Sequence, residues 1–349
     1  MPLLTVHRLI LTAGLFCGTL ASGQQAVISE SHARVNAGDR PSATAAIAQP
    51  VIGYVARRLP VELLPIVGVP GSATFGRPLG LPRQTTLVVP APHQAFALLT
   101  LRNADPAVLP LEGGTAGTPL PIRGALRTFD RAVFSPLGRS VVLYAAAAQR
   151  LQVIGGLPDS AQIKLDITTR DFPGPLVSVA VSDDGVSVLF SASGAVYQLL
   201  SSGSATRIVN VEGAAALAFL PDSNDAAVGD SGSGAVFSVR SGAVASAYVL
   251  ATGLAGLNSL NATEDGRSLW VACPGQRVIW SVDIVTGQKH RADLTIAASG
   301  LDRLHNGNTF LIAAEPGQPA WIAFLEGETV RTVFVPAIPQ EGVRRRVTP

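Results

Sequence analysis

From Thr85 to Val335 the chain is written in short apolar runs with alternating character, separated by clusters of Gly, Asp, Asn and Ser. Alternation with a period of two marks strands with a face to bury, and the clusters mark tight turns. Thr85 to Val89, Ala95 to Leu101, Ala107 to Leu111 and Leu120 to Arg123 form a first set of four such runs. Five more sets follow over 132–165, 177–209, 215–250, 255–297 and 301–335. Upstream, Gly53-Tyr54-Val55-Ala56 and Val61 to Val67 read as two further strands, followed by a Gly- and Pro-dense loop from Gly68 to Leu79. No stretch of this region sustains a helical stripe, which disfavours α/β alternatives.

Two landmarks hold the sets in register. The first is the turn between first and second strands: Ser135-Pro-Leu-Gly138, Ser182-Asp-Asp-Gly185, Pro221-Asp-Ser-Asn224, Thr263-Glu-Asp-Gly266 and Leu304-His-Asn-Gly307. Asp or Asn followed by Gly supplies the positive φ that such turns demand. The second is an aromatic in the third strand of the last four sets, Tyr197, Phe237, Trp280 and Trp321, spaced 40, 43 and 41 residues apart. Two independent features with one period establish a repeat. A four-stranded antiparallel unit of this length has two apolar faces and cannot bury both alone. Radial packing against neighbours buries them, so the expected fold is all-β: a β-propeller of four-stranded blades. Six full sets plus the two upstream strands favour seven blades with an incomplete first, six being the alternative. Closure through a strand from Ala337 to Pro349 is allowed for, although that segment is short and interrupted by Pro.

The strings Val236-Phe237-Ser-Val239-Arg-Ser-Gly242 and Ile279-Trp280-Ser-Val282-Asp-Ile-Val-Thr-Gly287 resemble the bacterial propeller repeats grouped as NHL-like and YVTN-like. The resemblance covers Thr85 to Val335 and implies blades more than activity. The Trp-Asp and Gly-His signatures of WD40 repeats do not occur, nor does a literal Tyr-Val-Thr-Asn string. Some propellers of this kind are lactonases or quinone-dependent dehydrogenases with carboxylates and His at the central mouth. On that likeness Asp130, Asp171, Asp302, His305 and Glu315 are the residues to inspect, with Asp302, His305 and Glu315 the candidate metal ligands.

Composition and the first residues add a compartment. His7 and Arg8 precede an apolar run from Leu9 to Leu20, and Ala21-Ser22-Gly23 offers small residues for a cut before Gln24, the pattern of an export signal. Cys17 raises a lipoprotein alternative, weakened by Phe16 before it. Residues 1–23 thus read as a signal peptide, 24–50 as a flexible linker rich in Ala, Ser and Gln, 51–338 as the propeller, and 339–349 as a basic tail. The expected location is periplasmic or extracellular. Charged residues are only 14% of the chain and the net charge is +2, so no nucleic-acid footprint is present. The run Arg344-Arg345-Arg346 reads as a solvated tail. No later stretch is long and apolar enough to span a membrane as a helix. Cys273, the one cysteine beyond the leader, has no partner for a disulfide and reads as a buried, inert thiol.

Reactive constellations are sparse. His32, His93, His290 and His305 are isolated, without His-x-x-x-His spacing or a Cys partner. Asp222-Ser-Asn224-Asp225 with Asp230 is only a faint calcium-loop likeness, lacking the central Gly and terminal Glu. Gly232-Ser233-Gly234 is no nucleophile elbow, and the Gly-rich run around it opens no helix to cradle phosphate. Asn261-Ala-Thr263 fits an N-glycosylation acceptor. The leading expectation is an exported, monomeric, non-catalytic propeller without a cofactor, binding a protein or small ligand through loops at one end of the ring. The alternative is a metal-dependent lactonase-type hydrolase with its site in the central channel, and a third reading is a tethered surface role.

Overall fold

The computed structural model describes residues 50–337 apart from 201, 243–244, 314–317 and 327–328. The leader, all of the linker except Pro50, and the tail lie outside the described residues. So do Glu315 and His32.

The described chain is a run of antiparallel sheets with two single turns of 3-10 helix, Pro92–Gln94 and Pro274–Gln276. Blade one holds β1 (Val51–Arg58), β2 (Val61–Val67) and β3 (Thr74–Phe75). Blade two holds β4 (Thr85–Pro90), β5 (Phe96–Leu101) and β6 (Ala107–Glu112), its fourth place shared by β7 (Thr115–Ala116) and β8 (Leu120–Pro121). Blade three is β9 (Arg131–Phe134), β10 (Ser140–Ala145), β11 (Arg150–Gly155) and β12 (Gln162–Thr168). Blade four is β13 (Ser178–Val181), β14 (Val188–Ala192), β15 (Ala195–Leu199) and β16 (Ala205–Asn210). Blade five is β17 (Ala215–Phe219), β18 (Ala226–Asp230), β19 (Ala235–Arg240) and β20 (Ser246–Ala251). Blade six is β21 (Ser259–Ala262), β22 (Ser268–Cys273), β23 (Val278–Asp283) and β24 (Lys289–Asp293). Blade seven is β25 (Asp302–Arg303), β26 (Thr309–Ala313), β27 (Ala320–Glu326) and β28 (Thr329–Val335). The fold is therefore a seven-bladed β-propeller.

Side-chain alternation explains why sheets stack around an axis. In β10, Val141 and Leu143 pack toward blade two, while Val142 and Tyr144 pack toward blade four. In β22, Leu269 and Val271 face blade five, and Trp270 and Ala272 face blade seven. Second strands are consequently buried on both faces, as all six residues of β10 are, whereas outermost strands such as β12 alternate between exposed and half-buried. Seven apolar clusters result, each shared by two consecutive blades. The one formed by Ile52, Val55 and Ile66 with Leu304, Leu311 and Ile322 joins blade one to blade seven. That contact closes the ring.

Blade one departs from the others in an instructive way. In every other blade the innermost strand runs toward the turn that leads into the second strand. β1 runs the opposite way: its early residues Ile52 and Tyr54 meet the first turns of blades seven and two, through His305 N donating to Ile52 O (3.2 Å) and Tyr54 N donating to Gln94 Oε1 (2.5 Å). β1 thus takes the place of a second strand, and among the described residues it pairs only with β2. Its burial agrees, with Ile52 to Val55 all enclosed. The upstream hairpin expected from sequence is present, and the loop read from Gly68 to Leu79 contributes the short β3. Among the described residues, blade one has no innermost strand.

The third-strand aromatics sit where the period placed them. Tyr197 stacks on Phe190 (ring centroids 5.3 Å apart), which in turn stacks on Phe172 (4.5 Å) at the contact of blades three and four. Cys273 is fully buried among apolar side chains, and burial pushes its thiol up, as befits an unreactive sulfur. Replacing the fully buried Phe190 with Ala is expected to lower unfolding free energy by about 3–5 kcal/mol. Trimming the exposed Val285 to Ala should change it by less than about 0.5 kcal/mol. Urea denaturation of the two variants checks both.

Candidate functional site

Six turns joining first to second strands gather at one end of the ring: residues 91–96, 135–140, 182–187, 220–225, 263–268 and 304–309. Each is closed by the first residue donating its N–H to the carbonyl five residues on, from Ala91 to Phe96 (3.0 Å) through Leu304 to Thr309 (2.8 Å). Gly138, Gly185 and Gly266 adopt the positive φ expected of them. In blade five the positive φ falls on Asp222 instead of Asn224. Gly307 serves by having no side chain, because a Cβ there would collide with the Glu264 carboxylate of the neighbouring blade.

Hydrogen bonds running from blade to blade brace these turns into a rim. Buried Asp183 accepts from Leu137 N (2.8 Å) of blade three and Asp222 N (3.0 Å) of blade five. Asn224 Nδ2 donates to Asp184 Oδ2 (3.1 Å), Glu264 N donates to Asn308 Oδ1 (3.1 Å), and Arg139 pairs with Asp222 across two blades. Gln94 holds both polar groups of Tyr54's backbone, Nε2 donating to Tyr54 O at 3.0 Å. A rim so tied cannot shift one turn without its neighbours.

Its charge differs from that of the whole protein. The six turns carry six carboxylates, Asp183, Asp184, Asp222, Asp225, Glu264 and Asp265, against Arg139 and Arg267, a net −4 in a chain of net +2. Asp184, Asp222, Glu264 and Asp265 are exposed. Burial opposes ionisation of Asp184, but hydrogen bonds from Ser182 Oγ, Val186 N and Asn224 outweigh it and hold the carboxyl below its usual range. Asp265 is held down in the same way, burial being outweighed by Thr263 Oγ1, Arg267 N and the Arg267 charge. These groups stay anionic well below neutral pH.

Arg303 lies beneath the rim, 4% exposed. It donates to Ala262 O and Gly307 O and, more weakly, to Asn261 Oδ1 (3.4 Å), with its guanidinium 5.0 Å from the Phe310 ring centroid. Its Nε has no partner among the described residues. Burial pulls this guanidinium down to about 10, against the opposing pull of Glu264 and Asp183. Sequence reasoning did not single out Arg303, Glu264 or Gln94. The signal available was positional, since each lies in or directly before a turn whose period was already fixed.

Beneath the rim the axial channel holds a cavity of about 570 Å³. Tyr54, Ala56 and Arg58 of β1, Val89 and Val133 of neighbouring innermost strands, and Asp302 are among its lining. Asp302 is surrounded by protein yet faces the open channel, so its side chain is exposed in spite of its depth. That enclosure pushes its carboxyl up, and no hydrogen bond or ion pair is formed to it by the described residues.

The sequence candidates are thereby dispersed. Asp302 points into the channel. His305 stands on the rim with Nδ1 2.9 Å from His93 O. Asp130 accepts from Ala146 N (2.6 Å), and Asp171 lies beside Phe172 and Pro173, both at the opposite end of the ring, where outer strands lead into the next blade. Glu315 is outside the described residues. Among those described, no three of His, Cys, Asp and Glu are gathered as a metal site would need. The calcium-like string is pulled apart as well. Asp225 accepts from Ser241, while Asp230, at the far end of β18, accepts from Glu212 N (3.0 Å), Gly213 N (2.9 Å), Gly232 N (3.0 Å) and Ser233 Oγ (2.7 Å).

No family model matches the chain, and no curated protein matches its sequence. Solved structures do. A functionally unknown protein from Desulfotomaculum acetoxidans superposes with a TM-score of 0.54 at 11% identity, over 83% of this chain and 100% of that one. A candidate 6-phosphogluconolactonase from Bacteroides uniformis gives 0.54 at 13% identity, over 82% and 97%. Hydrazine synthase from Kuenenia stuttgartiensis gives 0.51 at 11%, over 85% and 99%. At such identities the likeness is one of fold.

His93 supplies a pH test. Burial lowers its pKa below 6.5, Arg303 and His305 add to the shift, and Glu264 and Asp183 oppose it. A histidine depressed in the folded state takes up protons more readily when unfolded. The penalty is therefore absent above its unfolded pKa and grows as pH falls below it. Stability should fall between about pH 7 and 5, and His93→Asn, which tolerates the positive φ at this position, should flatten that slope. Thermal melts across this range measure it.

Proposed function

We propose that this protein is an exported, non-catalytic binding propeller whose braced acidic rim receives a ligand bearing positive charge. The observation that carries the reading is the rim itself. Four exposed carboxylates, braced by hydrogen bonds within and between blades, help give the six turns a net charge of −4 in a chain of net +2. Fixed complementary charge speeds encounter and rejects partners of like sign. The likeness to NHL-like and YVTN-like repeats is compatible with this role through the strings at Val236–Gly242 and Ile279–Gly287. Export rests on the leader pattern at residues 1–23.

Polar groups near the mouth are occupied structurally, which supports binding over turnover. Ser135 Oγ accepts from Ser140 N (3.0 Å), Ser182 Oγ donates to Asp184 Oδ1 (2.5 Å), and Thr263 Oγ1 donates to Asp265 Oδ1 (2.7 Å). His305 spends Nδ1 on a backbone carbonyl, and among the described residues no hydroxyl is hydrogen-bonded to it.

Fluorescence anisotropy with an arginine-rich peptide and its glutamate counterpart tests the reading. Only the arginine peptide should bind, more weakly as salt rises. The combined substitutions Asp184→Asn, Glu264→Gln and Asp265→Asn should weaken it on the order of ten-fold. Equal binding of both peptides, or indifference to the substitutions, contradicts the proposal. Metal-dependent hydrolysis of an aldonolactone by the purified protein would instead favour the hydrolase.

A further inference from the structure

The cavity of about 570 Å³ in the axial channel lies in the size range of small-molecule sites, and most of its polar lining is already hydrogen-bonded. Gln94 spends its amide on the backbone of Tyr54, Asn261 Nδ2 donates to Leu301 O (3.2 Å), and Ser299 Oγ donates to Ile312 O (3.3 Å). Arg303 lines the space too, but its guanidinium is turned to Ala262 O, Gly307 O and the Phe310 ring. Asp302 differs. It projects into the cavity, and no hydrogen bond or ion pair reaches its carboxyl from the described residues. We propose that this cavity is a binding site separate from the rim, taking a small organic ammonium ion with an apolar body, its N–H groups donating to Asp302.

Charge selects the head group. The guanidiniums of Arg58 and Arg303 line the cavity with Asp302, yet neither eases the carboxyl, whose pKa is pushed up by burial alone. Arg58 stands exposed at the end of β1 remote from the rim, where water and salt screen it. An enclosed charge acts through less water, so Asp302 governs what its own part of the cavity accepts. A carboxylate offers acceptors and no donor, so its partner must bring both positive charge and N–H groups. A divalent metal fits poorly, because such ions ask for several protein ligands. Among the described residues no three of His, Cys, Asp and Glu are gathered.

Shape selects the rest of the ligand. Leu87 and Val89 of blade two, Val133 and Phe134 of blade three and Leu311 of blade seven give the same space apolar walls. Val89, Val133 and Phe134 are only half-buried, whereas Val141 and Val142 in the second strand of blade three are fully enclosed. An apolar group bound here covers that surface and removes it from water. A carboxyl that the described fold does not contact adds nothing to stability, so its loss should harm binding and leave folding intact. The site lies inside the ring and does not rest on the charge of the rim.

Calorimetric titration with phenethylamine, 2-phenylethanol and phenylacetate tests the site with three compounds of similar shape and different charge. The amine should bind at one site per chain, and the alcohol and the acid should bind at least about ten-fold more weakly. Asp302→Asn should weaken the amine by about the same factor, with the melting temperature unchanged or raised. No amine binding, equal binding of the three compounds, or an Asp302→Asn protein that binds the amine as before overturns the proposal. So does a lowered melting temperature for Asp302→Asn, which would make the carboxyl a structural group. The rim substitutions should leave amine affinity within about two-fold, and Asp302→Asn should leave binding of the arginine peptide as it was. Failure of one site is thereby read separately from failure of the other.

Discussion

A strand that alternates apolar residues on both of its faces cannot rest against water on either side, and that constraint governs this molecule. The second strands carry it most heavily. Val141 and Val142 are adjacent in sequence, yet each is buried in a different interface between blades. Every sheet except an end sheet then needs two neighbours, and only a closed ring leaves no end sheet. The contact of Ile52 and Ile66 with Leu311 and Ile322 is where that requirement is met, between segments far apart in the chain. Closure here rests on facing apolar surfaces, since the described strands of blades one and seven share no ladder.

Once the ring is closed, its ends follow from chain direction. All six inner turns emerge at one end because their innermost strands run the same way. Charge placed at one position of the repeat is thereby concentrated, and Asp183 and Glu264, separated by two blades in sequence, act on the same buried Arg303. The same geometry turns Asp302 into the channel and leaves Asp130 and Asp171 at the opposite end. Residues that looked equivalent as polar positions near strand ends acquire different surroundings according to which end of which strand they occupy.

Much of the architecture was legible from sequence for physical reasons. Period-two alternation, turn glycines such as Gly185 and Gly266, and the third-strand aromatics each answer to local geometry, so they can be read without knowing the fold. The short β3 was missed because two residues of strand inside a Gly- and Pro-rich loop carry no periodicity. The reversed role of β1 was missed because strand direction relative to an axis leaves no local trace. The rim was illegible for a related reason. Glu264 reads as a solvated turn residue until the fold sets it against Gly307 of the next blade, and Arg303 reads as an ordinary strand cation until Phe310 and Ala262 enclose it.

Mutual sealing of faces around a closed circle can be probed far from the point of closure. Ile322→Ala loosens the contact of blades seven and one, and native-state hydrogen exchange can follow the amides of β14 in blade four, on the other side of the axis. In a closed ring, blades unfold together, so the opening free energy of β14 should fall by about the global loss, roughly 2–4 kcal/mol. If β14 keeps its full protection while only β1, β2 and the strands of blade seven loosen, the sheets form an open array and the account of a sealed ring is wrong.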